Sequence, residues 1–210
     1  MKPALVNRIN ARLAWVCEDD ETKPVVAPFD TLGKELVDRL PNLSGRVLVV
    51  SDCGLLVAVL LCNRSADLIF VAHTDRQVEF ARQVGVTNIV LARYNNVIEE
   101  LEKQLMGLKF DVIVGNPPYQ DSRNRAKNVK LWHKFSWMAF DYLAEGGWVA
   151  FVTPSSAFRP VGEGGKILHH ITNVLKLEVA ELHSTKMFDA GIETCHWIAS
   201  TNAVGVTPPN

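Results

Sequence analysis

Four short runs of branched and aromatic residues recur along the chain, and they limit the architectures open to it. They are "RVLVV" (Arg46 to Val50), "DLIFVA" (Asp67 to Ala72), "NIVLA" (Asn88 to Ala92) and "FDVIVG" (Phe110 to Gly115). Successive strand residues point to opposite faces, so runs this continuously apolar suit strands covered on both sides. Between them, "DRQVEFARQVG" and "NNVIEELEKQL" space their apolar residues at helical intervals among good helix formers. Asp75 is placed to cap the first of these helices and Gly85 to end it. Further on, Leu131, Phe135, Met138, Ala139, Tyr142 and Leu143 mark one face of a helix stopped by "EGG". Three more strands follow, "WVAFVTP", "LEVAELH" and "CHWIAST". Strand and helix in this alternation predict an α/β fold with a mostly parallel, doubly wound sheet and antiparallel pairing at its C-terminal end.

With 48% apolar residues among 210, the chain can bury the core of one domain. The expected division is an N-terminal extension over 1–24 and a single domain over 25–203. A formal net charge of −1 gives no global positive field, so any nucleic-acid contact has to rest on a local patch. The four cysteines, Cys17, Cys53, Cys62 and Cys195, are spaced neither as a zinc site nor as a redox pair. They read as buried small residues in a reducing compartment. No run is apolar and long enough to span a bilayer, and "MKPALVNRINARLAWVCEDDE" is no secretory signal. A cytoplasmic protein without membrane contact is expected.

Ligands of doubly wound sheets bind at the carboxyl ends of the strands. Three such ends carry polar residues: "SDCGLL", "AHTD" and "NPPY". The last is the most informative. Pro117 and Pro118 fix the backbone and remove two donors, which leaves the carbonyls of Asn116 and Pro117 without local competition. Asn116 adds a side-chain acceptor, and Tyr119 an aromatic face for a planar ring. The set suits holding a planar amine with its lone pair aimed at an electrophile. The same residues also serve as a strand-terminating turn with a packed tyrosine. Arg123, Arg125, Lys127, Lys130 and Lys134 follow directly, and can hold phosphates or form a solvated loop. Trp132 and Trp137 read as core. His169 and His170 point apart on a helix and lack accompanying ligands, so no metal site is expected. "GEGG" near Gly162 lacks the Lys-Ser/Thr of a phosphate loop and reads as a flexible connection.

"FDVIVGNPPYQ" followed by "LWHKFSWMAFDYLAEGGWVAFVTPSSAF" resembles the catalytic segment of S-adenosylmethionine-dependent adenine-N6 DNA methyltransferases, above all the NPPY enzymes of bacterial restriction–modification systems. "MFDAGIETCHWIAS" is similar to that family's later strand pair, and "APFDTLGKELVDRLP" to the segment before its first strand. The resemblance implies a Rossmann-like methyltransferase fold, S-adenosylmethionine as cofactor and DNA as partner. It also implies binding of the adenine amine by Asn116 and the Pro117 carbonyl, with Tyr119 stacked on an extruded base. Phe188 is a candidate second clamp, or core; Arg123, Arg125 and Lys127 are the candidate phosphate contacts.

The cofactor half departs from the family. Gly54 fits its glycine-rich loop, but Leu56 stands where a second glycine is expected, and Val50 at the usual acidic position, with Asp52 close by. His73 takes the place of the acid that binds ribose hydroxyls, with Asp75 two residues later, and "LARYNN" replaces the acid after the third strand. The candidate cofactor contacts are therefore Thr31, Asp52, Gly54, Asp75 and Arg93. Either the cofactor binds through unusual contacts, with Leu55 and Leu56 narrowing its pocket, or the chain is a non-catalytic regulatory or binding subunit. Methylation of RNA or of a protein glutamine is the alternative within enzymes. No separate target-recognition domain is expected, which leaves specificity to loops or to a partner subunit.

Overall fold

Each of the four apolar runs forms a strand, and the reason their pattern is continuous is visible in how side chains divide between two cores. The computed structural model describes residues 3–18, 26–41, 43, 45–63, 67–93, 97–119, 130–183 and 193–201. The strands are β1 (Arg46–Val50), β2 (Asp67–Ala72), β3 (Ile89–Leu91), β4 (Phe110–Gly115), β5 (Leu143–Pro154), β6 (Lys176–His183) and β7 (Thr194–Ser200). They form one seven-stranded sheet in the order β3-β2-β1-β4-β5-β7-β6. The β1, β2, β3, β4 and β5 neighbours pair parallel, whereas β7 runs antiparallel to both β5 and β6.

The helices are α1 (Pro3–Cys17), α2 (Lys34–Asp38), α3 (Cys53–Cys62), α4 (Asp75–Gln83), α5 (Val97–Leu105), α6 (Leu131–Tyr142) and α7 (Gly162–Asn173). Along β1, Val47 and Val49 enter the core beneath α1 to α4, while Leu48 and Val50 enter the core beneath α5 to α7. Helix α1 is tied to α4 as well: Arg76 donates to the Trp15 carbonyl at 2.8 Å and lies 5.3 Å from the Trp15 ring. No helix among the described residues is long and apolar enough to cross a membrane.

Several local expectations change. The N-cap of α4 is Thr74, not Asp75: its side chain accepts from the Gln77 amide while Gln77 reaches back, a reciprocal capping box. Thr74→Ala is expected to cost about 1 kcal/mol in chemical denaturation, the usual loss of an N-cap. Gly85 does end that helix. It takes φ +93°, and the Gly85 and Val86 amides donate to Arg82 and Ala81. Helix α6 stops one residue sooner than expected, and "EGG" lies inside β5. Leu143 already pairs with Phe110, the register shifts before Trp148, and Gly146 at φ +73° lets the chain loop outward.

"GEGG" is the first turn of α7 and no flexible connection. A Cβ on Gly164 would lie 2.4 Å from the Ser156 carbonyl oxygen, so glycine is what lets this helix press on the preceding turn. Trp132 and Trp137 pack as expected. The cysteines are all free, but Cys62 is exposed at the end of α3 rather than buried.

Candidate active site

Strands β1 and β4 are neighbours, and the chain crosses to opposite sides of the sheet after them, so their carboxyl ends open the crevice where doubly wound folds bind ligands. Val50 pairs with Gly115, and the Asn116 amide donates to the Val50 carbonyl at 3.2 Å. This register carries the residues after Val50 and those after Gly115 to the same place. A side chain at 115 would meet Val50 at 2.8 Å and Phe151 at 2.9 Å, so only glycine lets the three strands close there.

After β1 the backbone turns sharply: Ser51 adopts φ +67° without being glycine. Such strain persists where surroundings over-determine it. Here the Ser51 amide donates to the Val71 carbonyl, its carbonyl accepts from the Gln77 side chain at 2.8 Å, and its hydroxyl meets His73 Nε2. The other ring nitrogen of His73, Nδ1, lies 2.6 Å from the Ala92 carbonyl oxygen. A carbonyl only accepts, so the proton sits on Nδ1 and Nε2 accepts from Ser51. Burial pushes the imidazole down to about 4, against the pull of Ala92, so His73 is neutral. His73 therefore stitches the ends of β1, β2 and β3 together, at the position where the sequence resemblance led us to expect an acid.

Asp52 follows, fully buried, as N-cap of α3. Its Oδ1 accepts from the Leu55 amide at 2.9 Å, and its Oδ2 from the Ala27 amide at 2.7 Å and from Asn116 Nδ2 at 3.0 Å. Burial pushes its carboxyl up to about 6, opposed by the hydrogen bonds from Leu55, Ala27, Asn116 and the Gly54 amide. The carboxylate faces inward and is spent on protein donors. Gly54 is also approached closely, but by the chain itself: a Cβ there would lie 1.9 Å from the Ala27 carbonyl oxygen. Leu55 and Leu56 point into the core and narrow no pocket.

Asp75 and Arg93 form an ion pair at 2.9 Å, with side chains 78% and 52% exposed at the rim. Thr31 is exposed on the short helical turn Phe29–Gly33. Arg123, Arg125, Lys127 and Phe188 lie outside the described residues. Among the described residues, Glu35, Glu181 and His196 group their potential ligand atoms within 4.8 Å of one another. Arg39 already bridges the two carboxylates, at 2.7 Å from Glu35 and 2.5 Å from Glu181.

At the end of β4, Asn116 is 5% exposed, and Tyr119 adjoins a cavity of about 300 Å³. Trp132 and Pro154 wall this cavity with Tyr119, while Lys130, Arg159 and Glu193 supply charge at its edge. The Tyr119 hydroxyl is buried without a hydrogen-bond partner among the described residues, and burial raises its proton affinity. Tyr119 and Trp132 give the cavity an aromatic wall, and Asn116, Pro117 and Pro118, which do not line it, directly precede Tyr119 in the chain. Sequence reasoning singled out Lys130 in the basic cluster but took Trp132 only as core, and it did not single out Arg159 or the supports Ser51 and Gln77. Only Gln77 had a visible signal, the Thr-x-x-Gln spacing of a capping box.

The fold has wide company. The M protein of the type I restriction enzyme EcoKI superposes with a TM-score of 0.68 at 15% identity, covering 91% of this chain and 47% of that one. The methyltransferase subunit of a type I restriction–modification system from Streptococcus thermophilus gives 0.65 at 17% identity, over 86% and 46%. An O-methyltransferase from Bacillus cereus, solved with S-adenosylhomocysteine, gives 0.64 at 11% identity, over 95% and 92%. This chain thus spans just under half the length of those restriction–modification subunits. No curated protein matches it. The profile of the Eco57I restriction-modification methylases matches residues 66–188, more than half of the chain and the part that holds the NPPY turn. By that match the chain belongs to the Eco57I restriction-modification methylase family.

Proposed function

We propose that this chain transfers a methyl group from S-adenosylmethionine to the exocyclic N6 amine of adenine in DNA. The observation that carries the reading is the Asn116-Pro117-Pro118-Tyr119 turn at the end of β4, set beside the aromatic cavity of Tyr119 and Trp132. Extrusion of the base from the duplex is required, because the amine is inaccessible within the stack. The ring then lies against Tyr119, and its amine donates to the Asn116 side chain and the Pro117 carbonyl. Those two acceptors hold both N–H bonds and so aim the nitrogen lone pair out of the ring plane.

A methyl donor is proposed to lie over exposed polar residues rather than against the β1 loop. Close approach at Gly54 is already taken by Ala27, and Asp52 is committed inside the protein. Asp75, with Arg93 and Thr31, offers the exposed polar contacts that would hold it. When bound, the donor would supply an electrophilic methyl group to the amine that Asn116 and the Pro117 carbonyl orient, with the amine's proton leaving to water.

Arg123, Arg125 and Lys127 are proposed to grip phosphates beside the extruded base, with Lys130 and Arg159 at the cavity edge. A partner subunit is proposed to supply sequence specificity. The test is transfer of labelled methyl to an adenine-containing duplex, to the matching RNA and to a glutamine peptide. Transfer to the duplex alone is expected, and preference for either other acceptor would overturn the DNA assignment. Replacing Arg123, Arg125 and Lys127 together by alanine is expected to lower the slope of log affinity against log salt by roughly 2 to 3. An unchanged slope assigns them to solvent. The close approach at Gly54 favours one second reading, a regulatory subunit, and absence of S-adenosylmethionine binding in calorimetry would select it.

A further inference from the structure

We propose that Asp52 is a positioning residue for Asn116: its carboxylate selects which end of the Asn116 amide is offered to the substrate. The inference rests on the reading that Asn116 accepts a hydrogen bond from the target amine. The two ends of a primary amide are nearly the same size, so packing alone does not choose between them. Their partners choose. An ionised carboxylate only accepts, and Asp52 Oδ2 lies 3.0 Å from Asn116 Nδ2. The NH₂ end therefore faces Asp52, and the carbonyl oxygen is the end turned away from it. A reversed amide would bring two oxygens together and present a donor to an amine that is itself a donor.

Capping α3 does not explain the buried charge. Serine, threonine or asparagine caps a helix about as well as aspartate, and none brings a charge out of water. Asp52 is instead held by two backbone donors from different segments, Ala27 and Leu55, which fix its rotamer before Asn116 arrives. The register of β1 on β4 then places Asn116 against it, 64 residues away in sequence. The carboxylate thus passes the geometry of the β1 loop to the β4 turn. Among the described residues, the Asp52 charge acts on Cys17 from α1, Cys53 from α3 and Tyr119 from the β4 turn. All three have raised proton affinities and stay neutral through the acid range, so Asp52 alone ionises there.

The test has a spectroscopic arm and a kinetic arm. The side-chain ¹⁵N amide resonance of Asn116, assigned by its loss in Asn116→Ala, is expected to shift with pH around a midpoint near 6. The shift should vanish in Asp52→Ser, which keeps an N-cap for α3 but is too short to reach Asn116. In the kinetic arm, Asp52→Ser and Asp52→Asn are each expected to lower kcat on the order of 10- to 100-fold, with KM for DNA changing far less. Asn116→Asp, which puts two carboxylates face to face, should lose as much.

The exchange Asp52→Asn with Asn116→Asp restores a donor–acceptor pair of reversed polarity and still turns an oxygen away, so partial recovery of kcat over both single variants is expected. The Ala27 amide loses an acceptor in that exchange, which is why recovery is partial. A native kcat in a folded Asp52→Ser chain, or an Asn116 amide indifferent to pH in the wild type, overturns the proposal. A wild type inactive on every acceptor overturns the methyltransferase reading instead, and the amide resonance still decides whether Asp52 sets Asn116.

Discussion

Asn116→Ala is expected to lower methyl transfer by about two to three orders of magnitude, the scale seen when one preorganised hydrogen-bonding group is removed from a reaction site. Asn116 sits at the end of β4, one residue past the last pairing with β1, and its backbone stays tied to Val50 whatever its side chain. The fold should therefore survive. Its stability falls by about 1–3 kcal/mol, because Asp52 loses one donor to a buried charge. Tyr119 separates two contributions of one residue. Tyr119→Phe removes a hydroxyl that has no partner among the described residues, so activity and stability should stay near the wild type. Tyr119→Ala removes the stacking face, about 1–3 kcal/mol per base, and should slow transfer roughly 10- to 100-fold. Single-turnover assays with labelled donor, read beside circular-dichroism melts, check all three. A Tyr119→Phe variant as damaged as Tyr119→Ala would mean that the hydroxyl, not the ring, acts.

Gly54→Ala is the largest stability effect expected from a single added methyl group. The new Cβ would lie 1.9 Å from the Ala27 carbonyl oxygen and 3.0 Å from Val26, and a backbone carbonyl cannot rotate aside as a side chain can. Separation of the segment before Phe29 from the start of α3 is the only relief, and it would also break the Ala27 contact with Asp52. A loss of about 3 kcal/mol or more follows from overpacking at such a site. For a chain of this size that is a melting point lower by roughly 6–12 °C. Gly85→Ala is the control. Nothing lies near its Cβ, so only φ +93° opposes the change, at a cost of about 1–2 kcal/mol. Equal melting of Gly54→Ala and wild type would place Ala27 away from the loop.

The strands were legible because burial on both faces leaves few polar positions in them, and β1 shows it, with alternate residues from Val47 onward in two cores. The place of the NPPY turn was legible because a polar turn after a doubly covered strand has to emerge at the sheet's carboxyl edge, and it does so after β4. The cofactor loop was only half legible. Leu55 and Leu56 drew attention as obstructions because they replace small residues, yet as part of a buried helix they turn to the core. The obstruction at Gly54 comes from Ala27, which no local pattern marks. Asp52 and Asp75 looked equivalent as candidate acids, and the structure separates them completely: one is buried among protein donors, the other stands exposed beside Arg93.

The amino-acid sequence by itself showed the strands, the helices α4 to α6 and the mostly parallel sheet, and it put the NPPY turn at a strand's carboxyl end. These follow from periodicity and backbone chemistry, which act over a few residues and need no partner. Tertiary structure alone decided which residues meet at that edge: Ala27 on Gly54, His73 between Ser51 and Ala92, and Asp52 on Asn116. Each contact joins segments that are unrelated in sequence, and its geometry depends on strand register and helix placement to within an ångström. Hydrogen bonds and close packing lose their meaning beyond that tolerance. A carboxylate in the sequence is the same whether it later faces a ligand or a buried amide, and only the fold distinguishes the two.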